Sequence, residues 1–271
     1  LLVTTTDYIN DQPRVYGVAD GARINILPSG DFTLAPHGSR VAVHSGNNIL
    51  VIDLASGHEL ASIAAASNYS AWSPDGNLLM VIGETGNVQV WDTTAWQMTV
   101  ELPEAGLLAA WSPDGSQLAI AQTDRVRIYR TNPWEIVAEF ALLDDTPQIK
   151  DMVWSANSLQ LAVVTQPQLT ATTGRPMITV WSIPSQREVS QFTYHYDLYS
   201  EIAWTDDGRL LFGTSLFEVQ VWFAENGREI NSFSGQARYY KTPWSPDKRW
   251  MAVETTGTRT LIYTAEAGDV V

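Results

Sequence analysis

The pentapeptide Trp-Ser-Pro-Asp-Gly occupies residues 72–76 and returns unchanged at 111–115, 39 residues later. Its proline presets the backbone at the second position of a turn, its aspartate bonds its own backbone, and its glycine accepts a positive φ. Each copy therefore predicts a tight turn between two strands. Related copies begin at Leu34, Trp154, Trp204 and Trp244. Six copies of one turn predict a repeat protein.

Apolar residues recur in register with these turns. Seven residues after the start of each copy, a second strand carries Val41, Leu79, Leu118, Leu161, Leu211 and Met251. A third strand ends at Tyr16, Ile52, Trp91, Tyr129, Trp181, Trp222 and Tyr263. Eleven residues further on, a fourth strand carries Leu27, Ile63, Leu102, Phe140, Phe192 and Phe233. Each repeat therefore contains four short strands.

Such repeats predict an all-β fold, a β-propeller of four-stranded antiparallel blades, because these sheets bury their faces by stacking around an axis. The seven residues that end the third strands, which we call the third-strand column, favour seven blades, with the first one incomplete. The alternative is six blades, closed by residues 22–27 pairing with the blade at 241–264. We expect a single propeller domain over 1–271, with approximate repeats at 1–31 (partial), 32–66, 67–104, 105–146, 147–195, 196–236 and 237–271.

The Ser-Pro-Asp-Gly hairpins and the Trp91-Asp92 pair resemble the WD-repeat family, whose blades end their third strand in Trp-Asp. The resemblance covers nearly the whole chain and is to a divergent, bacterial-type member. Trp91-Asp92 is the one true Trp-Asp pair, and the Gly-His dipeptide that opens a typical blade is missing at every blade opening. The resemblance implies a propeller in which the family's His-Asp hydrogen-bond network is mostly absent.

Composition excludes several classes of function. The chain of 271 residues has a net charge of −14, which argues against nucleic acid and anionic membranes as partners. No apolar run is long enough to insert in a membrane as a helix. The absence of cysteine removes thiolate catalysis and Cys-based metal sites, while the compartment stays open. The chain begins without methionine, which is typical of a processed form or a fragment.

No catalytic, cofactor or metal motif is recognisable. The four histidines have no metal-ligand spacing, and there is no phosphate-binding glycine loop and no nucleophile-elbow serine. We therefore expect a non-catalytic protein-interaction scaffold, as a domain or subunit of a larger assembly, whose partners are proteins. The alternative is a ligand-binding or hydrolytic propeller with a site at the mouth of the central channel. Small residues in the expected channel-facing columns, such as Ala42, Ala119, Ala162 and Ala252, disfavour that alternative.

One candidate interaction patch follows from an irregularity in the repeat. The spacing of the third-strand column rises to 52 residues between Tyr129 and Trp181, which predicts a protruding loop at 165–177. In a propeller this loop shares the top face with the next blade-to-blade segments. The patch consists of Tyr194, His195, Tyr196, Tyr199, Arg238, Tyr239, Tyr240 and Lys241. Tyrosine and arginine are enriched at binding hot spots, but the tyrosines are equally well interpreted as caps on the blades.

A second candidate patch consists of Trp96 and Trp134. Both occupy the turn between the third and fourth strands, five residues beyond the third-strand column, where other repeats have glycine. Two rings on this turn in consecutive blades would form an exposed apolar surface. The alternative, which we favour, is that each ring folds back onto its own outer strand.

Overall fold

A computed structural model describes residues 2–4, 12–17, 19–65, 67, 69–142, 148–166, 176–194, 201–214, 218–234, 250–254 and 260–264. In these residues the regular structure is entirely β, and the strands form seven antiparallel sheets. Five sheets have four strands, one has three and one has two. The chain divides into two compact units, Leu1–Trp111 and Ser112–Val271.

The first unit begins with a three-stranded sheet of β1 (Leu2–Thr4), β2 (Arg14–Tyr16) and β3 (Arg23–Ile26). A four-stranded sheet follows, made of β4 (Phe32–Leu34), β5 (Arg40–Ser45), β6 (Asn48–Asp53) and β7 (Glu59–Ala64). The next contains β8 (Tyr69–Trp72), β9 (Leu78–Ile82), β10 (Asn87–Asp92) and β11 (Gln97–Ala105). Strand β12 (Leu108–Trp111) ends this unit. Strands that neighbour each other in a sheet are consecutive in the chain, as short turns require.

The second unit continues the β12 sheet with β13 (Gln117–Ala121), β14 (Arg125–Thr131) and β15 (Trp134–Ala141). The next four-stranded sheet contains β16 (Gln148–Trp154), β17 (Gln160–Gln166), β18 (Met177–Ser182) and β19 (Arg187–Thr193). Another contains β20 (Glu201–Trp204), β21 (Leu210–Thr214), β22 (Glu218–Phe223) and β23 (Glu229–Ser234). Strands β24 (Trp250–Glu254) and β25 (Thr260–Thr264) form the two-stranded sheet. Most of the inserted loop, 167–175, lies outside the described residues.

The tryptophans of the pentapeptide hold equivalent places. Four of them end the first strand of their sheets: Trp72, Trp111, Trp154 and Trp204. For three of these the indole N–H donates to a backbone carbonyl of the first strand in the preceding sheet: Trp72 to Thr33 at 3.2 Å, Trp111 to Ala71 at 3.1 Å and Trp204 to Val153 at 3.0 Å. Each ring therefore satisfies its polar atom while it joins two sheets. The fifth member, Trp244, lies outside the described residues.

The third-strand and fourth-strand columns pack against each other between neighbouring sheets. Trp222 of β22 contacts Phe192 of the preceding sheet, with ring centroids 5.5 Å apart. Trp181 stacks on Phe140 in the same way, with centroids 4.6 Å apart and an interplanar angle of 20°. Sheet-to-sheet packing thus depends on large apolar side chains that recur at fixed spacing.

Every sheet with a described fourth strand has a β-bulge in the same place. The register between the third and fourth strands shifts just before the third-strand column residue, which leaves one extra residue on the fourth strand. These extra residues are Ile24, Leu60, Thr99, Val137, Val189 and Ile230. A bulge interrupts the ladder and increases the local twist, so it protects the outer strand of each sheet from edge-to-edge pairing.

Candidate functional site

The structure places one residue of the tyrosine patch, and it places it in the core. Tyr194 follows β19 and is 8% exposed, packed among the side chains of Ile178, Ile202 and Trp204. Its hydroxyl accepts a hydrogen bond from Gln166 Nε2 at 3.4 Å. This differs from the expectation of a surface residue, and the physical reason is that the apolar ring fills the space between two sheets. The other seven residues of the patch, His195, Tyr196, Tyr199, Arg238, Tyr239, Tyr240 and Lys241, lie outside the described residues.

Trp96 and Trp134 take up different surroundings. Trp96 has a φ of 53°, the left-handed conformation that glycine adopts at this turn in other repeats. Its ring is half-buried and meets Trp72 edge-on, with centroids 6.4 Å apart. The ring therefore packs against the end of the first strand of its sheet, whereas the favoured alternative placed it on its own outer strand. Trp134 is half-buried as the first residue of β15, opposite Thr131.

Two of the alanines expected to face a channel lie within inter-sheet cores, and the side chain of a third, Ala252, lies outside the described part of the chain. Ala42 and Ala162 are fully buried, each in a cluster that contains residues of two neighbouring sheets. Ala119 is also fully buried. Ala42 and Ala162 therefore give no evidence about the lining of a channel. The error arises because alternate residues of a strand buried on both faces look alike in sequence.

One histidine joins two sheets of the first unit. His44 of β5 lies 2.7 Å through Nδ1 from the carbonyl of Ser67 and 2.8 Å through Nε2 from Ser70 Oγ on β8. Because a carbonyl only accepts, Nδ1 donates to Ser67, while Nε2 and the Ser70 hydroxyl share the second hydrogen bond. Thr33 Oγ1 lies 3.0 Å from the same hydroxyl.

This serine and histidine have the distance of a nucleophile and its base. Ser70, however, is 4% exposed, and its hydroxyl is enclosed between the sheets by His44 and Thr33. A substrate carbonyl does not reach it. The pair therefore serves to hold two sheets together.

Arg40 makes a second connection between the same two sheets. Its guanidinium donates to the carbonyls of Gly76 at 2.9 Å and Thr93 at 3.2 Å. It also lies over the Trp72 ring, with Cζ 5.1 Å from the ring centroid. These contacts fix the turn of one sheet against the second strand of the other. Gln117 has the equivalent position in the second unit, where its Nε2 donates to the Ser158 carbonyl at 3.4 Å.

A groove of about 420 Å³ opens in the second unit beside β15. One wall comes from β13 to β15 and the other from the turns that follow β16 and β18. We call it the Leu159 groove and define it by the lining residues Gln117, Arg130, Val137, Ser158, Leu159, Ile183, Pro184 and Gln186. Leu159 is 48% exposed within it, and Arg130 is the one charged lining residue.

Hydrogen bonds join the two walls of the Leu159 groove. Gln186 Nε2 donates to the carbonyl of the bulged residue Val137 at 2.9 Å. At the other end, the Asp114 amide donates to Ser158 Oγ at 3.2 Å. Ser158 and Gln186 both have positive φ, 60° and 52°, which aims their side chains across the groove. The groove is therefore preformed.

Three aspartates of the pentapeptide turns have a lowered pKa. In the four described copies that begin with tryptophan, a hydroxyl donates to the side chain two residues later, at 2.6 Å in Ser73–Asp75, Ser112–Asp114 and Thr205–Asp207 and at 2.7 Å in Ser155–Asn157. Burial raises the pKa of the three aspartates, but this hydroxyl and the amide two residues further on outweigh it. The net result is a pKa below the ordinary aspartate value of about 3.9.

The lowered pKa values of these three aspartates predict that the fold loses stability in acid. A folded pKa below the unfolded one contributes stability that is present above about pH 4 and is lost as the pH falls through the folded value. Replacing Asp75, Asp114 and Asp207 with asparagine should flatten the loss of unfolding free energy between about pH 6 and about pH 3. Asn157 shows that asparagine accepts the same bonds, from Ser155 at 2.7 Å and from the Leu159 amide at 3.0 Å.

Urea unfolding across this pH range measures the effect. Asp206→Asn is the matched control, because it removes a carboxylate of the same turn without changing these bonds. An unchanged acid profile in the triple variant would show that other groups determine acid unfolding.

Two absences apply to the described residues alone. Within those ranges, no group of three His, Asp or Glu side chains is placed to hold a metal ion. In the same part of the chain, no helix has the length and hydropathy to span a membrane.

The sequence contains a signal for the bulge. In the six repeats whose fourth strand is described, the bulged residue stands eight residues beyond the third-strand column, and five of the six are aliphatic. The Leu159 groove had no such signal, since its walls come from segments up to 70 residues apart.

Comparisons with known proteins identify the fold. No family model matches the sequence, and no curated protein matches it. Solved structures of 1492 chains do match, so the fold is a common one that does not by itself indicate a function. One is a structure of the eukaryotic initiation factor, with 17% identity and a TM-score of 0.61, covering 90% of this chain; this chain spans 65% of that one.

Two further similar structures agree. One is KlHsv2 with loop 6CD replaced by a Gly-Ser linker, with 16% identity and a TM-score of 0.68, covering 83% of this chain and 79% of that one. The other is the mitotic checkpoint complex, with 17% identity and a TM-score of 0.69, covering 93% of this chain and 81% of that one. Together with the four-stranded antiparallel sheets, these similarities show that the chain has an all-β, β-propeller fold.

Proposed function

We propose that the chain is a non-catalytic protein-interaction scaffold and acts as a domain or subunit of a larger assembly. The observation that carries this proposal is that polar side chains form hydrogen bonds between neighbouring sheets. His44, Ser70 and Arg40 bind backbone groups and each other between sheets, so they build the scaffold rather than a reaction site. Two of the similar structures are named as an initiation factor and a checkpoint complex, which fits a scaffold.

We further propose that residues 1–271 form one domain of seven blades, the first being partial. Seven described sheets support this count, and β1 to β3 correspond to the incomplete repeat at 1–31. In this arrangement the segments around 195–199 and 238–241 belong to consecutive repeats.

The proposed docking surface consists of His195, Tyr196, Tyr199, Arg238, Tyr239, Tyr240 and Lys241. Tyrosine and arginine offer large contact areas with few rotors and a polar tip, which is why they are enriched at hot spots. This set contains two cationic side chains, Arg238 and Lys241, in a chain with a net charge of −14. They favour a partner that presents carboxylates.

Replacing both Tyr196 and Tyr240 with alanine should weaken binding of the native partner by about 2 kcal/mol or more. Thermal stability should change little, because surface substitutions usually alter it by about 0.5 kcal/mol at most. Both quantities are measured on the same purified protein, by titration calorimetry and thermal unfolding.

Tyr194→Ala is the matched control. Because its ring is 8% exposed, this variant should lose stability instead of affinity. A double variant that unfolds early would identify the two tyrosines as blade caps. A stable double variant with native affinity would place the contact elsewhere on the chain.

A further inference from the structure

We infer that the Leu159 groove binds a short extended segment of a partner protein in which an aliphatic side chain stands next to an aspartate or glutamate. This surface lies outside the tyrosine patch, and the inference does not depend on that patch. It rests on the apolar lining of the groove, on its one cation and on the bonds that fix its walls.

The apolar part of the groove is open to water. Leu159 is 48% exposed, Pro184 is exposed, and Val137 is half-buried beside them. The backbone there is fixed, since the Ile183 amide donates to the Leu159 carbonyl at 2.9 Å. An aliphatic side chain inserted between these residues removes apolar surface from water on both partners without reorganising the walls.

The charge of the groove selects an acidic neighbour for that side chain. Arg130 pairs with Glu135, and both side chains are about half exposed, at 49% and 48%. An exposed pair of this kind contributes little, so the guanidinium can exchange Glu135 for a carboxylate of the ligand. The other two arginines of β14, Arg125 and Arg127, are both bound to Glu139.

The bulge determines how the segment is recognised. Val137 is the extra residue of β15, and its carbonyl already accepts the bond from Gln186. The outer edge of β15 is therefore interrupted at the groove, and a partner strand cannot continue the sheet there. Recognition by side chains, in an extended conformation, is the mode that remains.

The probe is the peptide acetyl-Gly-Leu-Asp-Leu-Gly-amide, added to the ¹⁵N-labelled chain and followed by amide shifts. We expect shifts at Val137, Leu159 and Gln186. Replacing its aspartate with lysine, or both leucines with alanine, should each weaken binding by about tenfold or more. Leu159→Ser should do the same, while Leu60→Ser, at an equally exposed leucine of the first unit, should leave binding unchanged.

Charge reversal gives the sharpest readout. Arg130→Glu should bind the lysine peptide in preference to the aspartate peptide, and Arg130→Gln should lose the preference without losing the leucine contribution. Thermal unfolding of each variant shows whether it is folded. Absence of shifts at the groove, equal binding by Leu159→Ser, or an unchanged preference in Arg130→Glu would each overturn the inference. Self-association that Leu159→Ser abolishes would overturn it too, because the groove would then hold a second copy of the chain.

Discussion

Replacing Trp222 with alanine is expected to lower the free energy of unfolding by about 3–5 kcal/mol, the cost of a large ring removed from a filled core. Trp222 is 2% exposed and packs on Phe192 of the neighbouring sheet. Urea unfolding followed by fluorescence measures the loss. Trp134→Ala is the control, because that ring is half-buried and its removal should cost clearly less. Equal losses in the two variants would contradict the packing described for the third-strand column.

A substitution at a neighbouring glycine tests whether Trp222 stabilises the fold by close packing or only by burying hydrophobic surface. A Cβ at Gly213 would stand 2.8 Å from Cη2 of Trp222, so Gly213→Ala should destabilise the fold through this clash. Trp222→Phe removes that part of the ring. The double variant should therefore lose less stability than the sum of the two single variants. Strict additivity would show that the two residues do not meet.

Arg40→Ala should cost about 2–3 kcal/mol, because two charge-assisted bonds to backbone carbonyls and a cation–π contact are lost together. The carbonyls of Gly76 and Thr93 are the groups left without this donor. Chemical unfolding at constant ionic strength gives the value.

Two conservative variants test the geometry of this connection. Arg40→Lys should not restore stability, since an ammonium lacks the planar fork that reaches both carbonyls. Arg40→Gln should recover part of it, because Gln117 makes the corresponding bond to Ser158 in the second unit. Full recovery by lysine would mean that charge alone, rather than the fork, joins the sheets.

The fold was readable from the sequence because its information is local. Turn chemistry at 72–76 and 111–115 depends on neighbouring residues, and the aromatic columns lie at fixed offsets from one another. Contacts such as that of Phe140 with Trp181 then follow when neighbouring sheets pack face to face. The weaker expectations concerned the side to which a residue points. The sequence places Tyr194 either in a docking patch or in a cap on a blade, and it places Ala42 toward a channel. Both lie between sheets, and strands buried on both faces show no polar alternation that would reveal this.

The Leu159 groove was beyond the sequence for a different reason. Its walls depend on Ser158 and Gln186 having positive φ and on a bulge at Val137. None of these is encoded by a glycine or proline at the position itself. Only the contact between two sheets reveals that Leu159 is exposed next to Arg130.

Hydrogen exchange of the chain alone and in complex with its native partner tests the scaffold proposal most directly. The complex is purified through a tag on the chain, and exchange is read by mass spectrometry on overlapping peptides. We predict slower exchange in the bound state at 195–199 and 238–241, with no change at the core strands β17 and β18. Equal exchange of both segments in the free and bound states, with protection confined to other parts of the chain, would contradict the proposed docking surface.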